Sequence, residues 1–405
     1  MRIGMLWTRE HAGLYSNAPF DELFAYIGHN NGNLAFVHAI QQHVQGEIGY
    51  YPWHTPPAVL RDEVDLLVMP CANQLGKHTD LGALGRTLDA AEVPVVAIGL
   101  GAQASSTAQD VELTPGTAAW LQTLARLRPT DAPNIYVRGP YTERQVHRLG
   151  VGGVVMGGCP SLFINPRPDL GQRLQAAAER MPRTLCVAAA HQSWAKCATI
   201  EQQLVSMVSD SWYPGSYVPQ SMADMIKISR EEFDTIEPEV LDQIRRFAAP
   251  HLSPEVFQDW CRQYARSFYD VPSWMDHLRR YDLTVGARYH GVALALQAER
   301  MGLTITVDSR TEELCQQTGV PYVSAEELTG PVTRSTLHDR VRRFDGTAYD
   351  ELRASKAATY VDFLAANGIT PAPYLYGLAQ RPVPVPVPVP VSVPAQASAP
   401  VAVPA

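Results

Sequence analysis

The chain has 405 residues, 46% hydrophobic and 18% charged, enough for two ordinary domains with sizeable cores. Its 33 Lys and Arg against 41 Asp and Glu leave a formal charge of −8, which argues against a nucleic-acid binder or a general membrane-surface binder. No apolar run reaches the roughly 20 residues that span a bilayer, so no transmembrane segment is expected.

The start, MRIGMLWTREHAGLY, lacks the apolar run of a secretory signal. The expected location is the cytoplasm, free or peripheral to the inner face of the membrane. In chain order, strands are expected at 2–7, 65–69, 94–98, 135–137 and 154–156, and helices at 33–44, 81–91, 117–127 and 142–149. A second set follows a break at NPRPD, 165–169. It has strands at 185–189, 283–286, 303–307 and 322–323, and helices at 170–180, 200–211, 238–247, 254–268, 274–280, 311–318, 335–344 and 349–367. Short apolar strands alternating with amphipathic helices mean βαβ units and parallel sheets, an α/β fold. The expected domains are 1–166 and 167–375, the second with closing helices, followed by a disordered Pro/Val-rich tail at 376–405. From residue 381 the repeat PVPVPVPVPV removes every second backbone donor and favours extended polyproline II.

The six cysteines are dispersed, with no CxxC pair, and read as buried thiols of a reducing compartment rather than zinc ligands or disulfides. Ligands of two facing parallel sheets gather at the carboxyl ends of strands. The stretch Gly286-Ala287-Arg288-Tyr289-His290-Gly291 joins a strand to an apolar helix. Arg288 offers a planar fork for carboxylate or phosphate, and His290 can move a proton near neutral pH. Equally, Arg288 can make a structural ion pair and His290 can cap the helix. Arg138 ends the strand 135–137 before a helix whose expected cap is Thr142. It faces either the cleft or the outer surface. The run Gly99 to Ala104 matches GxGxxA, but no amphipathic helix follows, so a loop over the cleft is preferred to a nicotinamide site.

The loop His29 to Asn33 either caps the next helix through Asn31 or Asn33 or, with Arg9 and His11, walls the cleft. Ser193, Trp194 and Lys196 follow the strand 185–189 and are candidates to hold an acceptor. Arg310, beside Asp308, is a candidate anion contact. HExxH, the Walker P-loop and GxSxG are all missing, which argues against metalloprotease, P-loop NTPase and α/β-hydrolase chemistry.

At these residues the chain resembles the polysaccharide pyruvyl transferase family, in order over residues 1–325. The matching segments are NNGN, DLLVMPCAN, PVVAIGLGAQ, YVRGPYTERQVHRLGV, GGCPSLF and, most specific, VGARYHGVALALQAERMGLTITVD. Several positions depart from the family pattern. Cys71-Ala72-Asn73 stands where glycines are usual, and Cys159 where Asp is usual. Gly139-Pro140 replaces an acidic residue, and Ser309-Arg310 lies where Lys is frequent. The resemblance implies two Rossmann-like domains facing across a cleft, as in glycosyltransferase-B-like enzymes. It implies transfer of a pyruvyl group from phosphoenolpyruvate to two hydroxyls of a sugar or lipid-linked oligosaccharide, giving a cyclic ketal without cofactor or metal. Arg288 and His290 carry over as catalytic and donor residues, Arg138 as a second anion contact, and Arg310 joins the donor set. Arg9, His11, Asn31, Ser193 and Trp194 are the acceptor candidates. His290, held protonated by anions, would be the general acid. Rival readings are a nucleotide-sugar glycosyltransferase and a non-catalytic glycan- or partner-binding protein of the same fold.

Overall fold

A computed structural model describes residues 1–8, 18–103 and 109–383. Arg9, His11, Ala104 and the tail beyond Val383 lie outside the described residues.

The strands form two sheets. In the first, β1 (Ile3–Met5), β2 (Ile48–Tyr50), β3 (Leu66–Pro70), β4 (Val95–Leu100), β5 (Ile135–Val137) and β6 (Val154–Met156) are ordered β2-β1-β3-β4-β5-β6. In the second, β7 (Leu185–Ala188), β8 (Ser216–Val218), β9 (Leu283–Gly286), β10 (Met301–Thr306) and β11 (Tyr322–Ser324) are ordered β11-β10-β9-β7-β8. Every pairing is parallel. The second sheet repeats the order of the first five strands. In each half the second strand adds on one side of the first and the rest on the other. Each sheet therefore has a switch point, beside β1 and β3 in one half and beside β7 and β9 in the other.

Apolar runs explain the central strands. β3, β4, β7, β9 and β10 are buried along their whole length, as strands covered by helices on both faces must be. Two strands were not legible. β2 is a half-buried edge, and β8 is a three-residue strand opening with Ser216.

Helix starts also differ from expectation. The helix expected at 142 runs Pro140–Arg148, because Pro140 is pre-set for the first helical position. Thr142 therefore lies inside the first turn rather than at the cap, and its hydroxyl accepts from the Ala102 N–H at 3.0 Å. The helix Asn33–His43 is capped by neither asparagine. Asn33 instead donates to the carbonyls of Ile27 and Gly28, at 3.1 and 3.0 Å.

The closing helices join the halves. Gly346–Ala366 puts the fully buried Arg353 under the connecting segment 162–167, where its guanidinium donates to the carbonyls of Leu162, Asn165 and Arg167. Tyr360 of that helix packs on Tyr136 and Phe163, with ring centroids 5.2 and 5.4 Å away. A last helix, Pro373–Leu378, returns to the first half, where the Ala372 N–H reaches the His43 carbonyl at 2.8 Å. Tyr376, Leu378 and Ala379 are buried, so the packed body passes the boundary expected at 375. All six cysteines are buried and free. No helix among the described residues is long and apolar enough to cross a membrane.

Candidate functional site

Carboxyl ends of strands from both sheets meet at a cavity of about 70 Å³. Asn73 arrives from beyond β3, Arg138 from β5, Trp194 from β7 and Gln220 from β8. Arg288 and His290 follow β9, and Arg310 follows β10. Topology, rather than proximity in sequence, brings these side chains together.

Arg138 is buried and rigidly held. β4 shifts register between Ile98 and Leu100, and Gly99 takes φ +88°, a left-handed value that glycine adopts without strain. The Gly99 carbonyl accepts from Arg138 Nε at 2.7 Å. Cys71 O and Asn73 Oδ1 accept from the two Nη atoms at 3.2 and 2.9 Å. Three of its five N–H groups are thus committed to the protein. Burial, and then the nearby Arg310, lower its affinity for its proton.

Arg288 is the opposite case. It is the extended N-cap residue of helix Tyr289–Gln297, and its guanidinium carbon sits 4.4 Å from the centre of the Trp194 ring. Its Nε is buried without a hydrogen-bond partner. Burial first, and Arg310 second, lower its pKa to about 10, with Asp308 and Glu201 acting in the other direction. A cation desolvated without a bonded acceptor has the chemistry to take an anion from outside.

His290 lies beside Phe36, ring centroids 5.6 Å apart, with Nε2 3.5 Å from Cys159 Sγ. Burial, then Arg138 and Arg310, hold its pKa well below the usual imidazole value. Cys159 stands where the resemblance would place Asp, and burial raises its thiol pKa. Cations and a neutral thiol surround His290, not the anions expected to hold it protonated. In the unliganded protein it is the neutral imidazole.

Arg310 lies in the first turn of helix Ser309–Thr318. It donates to Asp308 Oδ2 at 3.2 Å and Gln103 Oε1 at 3.4 Å, while Asp308 Oδ1 caps the helix by accepting the Thr311 N–H at 2.8 Å.

Two acceptor candidates are not brought to this cavity. Asn31 is buried, donates to the Phe268 carbonyl, and ties its own N–H to Gln220 O at 2.8 Å. Ser193 is exposed and bonded to His191 Nδ1. Trp194 does line the cavity, as the platform under Arg288.

Asn30 and Asn33 of the loop His29 to Asn33 line the cavity, whereas Asn73 and Gln220 were missed. Asn73 carried a signal, since it departs from the usual glycines just beyond β3. Gln220 carried none, because β8 itself was not legible. A roomier groove of about 820 Å³ lies on the second half around Phe233 and Phe257. Its arginines, Arg245 and Arg262, are already paired with Asp242 and with Asp259 and Glu231. It offers no unpaired arginine comparable with Arg288.

A sequence profile of the family described as polysaccharide pyruvyl transferase matches residues 20–309. No curated protein matches the chain in sequence. Among solved structures, the UDP-GlcNAc 2-epimerase from Neisseria meningitidis bound to UDP-GlcNAc has a TM-score of 0.44 at 10% identity, covering 91% of this chain and 100% of that one. The UDP-GlcNAc 2-epimerase from Methanocaldococcus jannaschii has a TM-score of 0.41 at 9% identity, covering 85% and 92%. The S. aureus MnaA–UDP structure has a TM-score of 0.40 at 8% identity, covering 92% and 99%.

Proposed function

The chain belongs to the polysaccharide pyruvyl transferase family, and from that membership we propose that it moves a pyruvyl group from phosphoenolpyruvate to two hydroxyls of a sugar, forming a cyclic ketal and releasing phosphate. The observation that carries the reading is the convergence of Arg138, Arg288 and Arg310 with His290 on one small cavity. Phosphoenolpyruvate carries a carboxylate and a phosphate, and arginine forks suit both. Arg288 supplies the fork with no protein acceptor, Arg138 a pre-oriented cation, and Arg310 a third positive charge.

The chemistry follows from the charges. An entering dianion offsets Arg138 and Arg310, so His290 gains the proton it lacks in the free protein. His290 then delivers that proton to the methylene carbon of the enol, and C2 becomes electrophilic. A sugar hydroxyl attacks C2, and its proton returns to the now neutral imidazole. Phosphate leaves C2, a second hydroxyl of the same sugar closes the ketal, and the proton of that hydroxyl goes to the departing phosphate. The acceptor is a sugar of a polysaccharide or of its lipid-linked precursor. Incubation with phosphoenolpyruvate and a panel of glycans tests this: phosphate appears together with a glycan bearing a pyruvyl ketal. Phosphate release without glycan modification, or transfer only from a nucleotide sugar, overturns it.

A further inference from the structure

We propose that Glu313 is an interdomain positioning residue: it seats helix Ser309–Thr318 of the second half on the amino terminus of helix Pro140–Arg148 of the first, and thereby sets Arg310 opposite Arg138. Glu313 is buried at 5% exposure although it belongs to the half that carries β10. Its Oε1 accepts the Tyr141 N–H at 2.6 Å, and its Oε2 is 3.5 Å from the Thr142 hydroxyl. Pro140 has no N–H, so Tyr141 offers the first free donor of that helix. A carboxylate there also meets the positive end of the helix dipole.

The local sequence is shaped around this contact. A Cβ on Gly139 would stand 2.5 Å from both Glu313 Cγ and Cδ. A side chain at 139, where the resemblance would place an acid, would thus displace a carboxylate arriving from the other half of the molecule. Arg310 and Glu313 are three residues apart and share a face of one helix. Arg310 reaches Gln103 at 3.4 Å, Gln103 accepts from Asn73 Nδ2 at 3.3 Å, and Asn73 Oδ1 accepts from Arg138 at 2.9 Å. Arg138 and Arg310 repel each other across this relay. A buried anchor one turn away keeps them facing when no ligand is bound.

For its kinetic consequence the inference rests on the donor reading above; the contact itself does not. The experiment uses the full chain with Glu313→Ala, Glu313→Gln and Gly139→Ala. It reads hydrogen exchange at the Tyr141 and Thr142 amides, affinity for inorganic phosphate by calorimetry, and KM and kcat with phosphoenolpyruvate. Glu313→Ala should speed exchange at Tyr141 about tenfold or more, weaken phosphate by a similar factor, and raise KM for the donor while kcat stays within about threefold. Glu313→Gln keeps an oxygen facing the Tyr141 N–H and should hold each value within about threefold of the native protein. Gly139→Ala, by displacing the carboxylate, should reproduce the Glu313→Ala pattern. Unchanged exchange at Tyr141 in Glu313→Ala overturns the inference, and so does faster exchange with unchanged phosphate affinity. If the native protein does not turn over phosphoenolpyruvate, the donor reading fails, while exchange and phosphate binding still decide the role of Glu313.

Discussion

At the scale of single residues, variants of His290 and Arg288 test the proposed division between proton transfer and anion capture. His290→Gln keeps a polar side chain of similar reach but cannot deliver a proton near neutral pH. Turnover should fall by about 10²–10⁴, with donor affinity within a few-fold. A variant that melts lower yet turns over normally would make His290 structural. Arg288→Lys should instead raise the donor KM markedly, since an ammonium has neither the planar fork nor the stacking face that Trp194 receives. A further outcome follows from the depressed imidazole pKa. Near neutral pH the free protein holds His290 without its proton, and an anion that offsets Arg138 and Arg310 lets it bind one. Calorimetry of phosphoenolpyruvate binding in buffers of different ionisation heat should therefore register proton uptake, lost in His290→Gln. Uptake that persists in the variant places the proton elsewhere.

Single elements show where local reading succeeded and where it stopped. Buried central strands announce themselves as apolar runs, and β3, β4 and β9 lie within a few residues of the expected positions. Others do not: β2 is a half-buried edge, β8 opens on a serine, and the helix Pro373–Leu378 is too brief to build a helical period. That last helix sets the limit of safe truncation. Removing 384–405, a stretch rich in proline, which has no backbone N–H to donate, should leave the melting temperature within about one degree. Removal from 376 onward also strips buried Tyr376, Leu378 and Ala379. At about 1.5–3 kcal/mol for a fully buried large apolar side chain, it should lower the melting temperature by several degrees. Thermal denaturation of the two truncated chains checks this, and equal melting temperatures would show that the end of the helix contributes nothing.

Over the whole molecule, the dominant titration signature is buried histidine. Burial lowers His38, His191 and His277 to about 4 and His43 to about 3, with His290 also depressed. The unfolded chain takes up protons near pH 6.5 that the folded one refuses, so this stability is complete above about 6.5 and is lost as pH falls. Glu201 acts in the opposite sense. Burial raises it to about 7, so between about 4.5 and 7 the folded chain holds a proton that the unfolded one releases. Burial raises Glu313 and Asp350 as well, and the five histidines outweigh these three carboxyls. The urea midpoint should fall from pH 7 to pH 5, each histidine adding a slope of at most about 1.4 kcal/mol per pH unit. A midpoint that rises over this range would mean that the histidines are open to solvent when folded.

By itself the sequence determined what depends on neighbours along the chain. Apolar runs of strand length between amphipathic helices impose parallel α/β halves, because such strands must be covered on both faces. Arg138, Arg288, His290 and Arg310 could be singled out because each follows a strand, and strand ends are where ligands gather. What those residues are chemically was decided only by the tertiary structure. Arg138 and Arg288 read alike in sequence. Yet one has committed three of its five donors to Gly99, Cys71 and Asn73, while the other lies unbonded over Trp194. The protonation of His290 depends on burial and on Arg138, which is 152 residues away in the chain. Gly139 reads as an empty position until Glu313 is found filling it from the other half. Local periodicity records how a segment folds, but desolvation and charge belong to whatever the fold brings alongside.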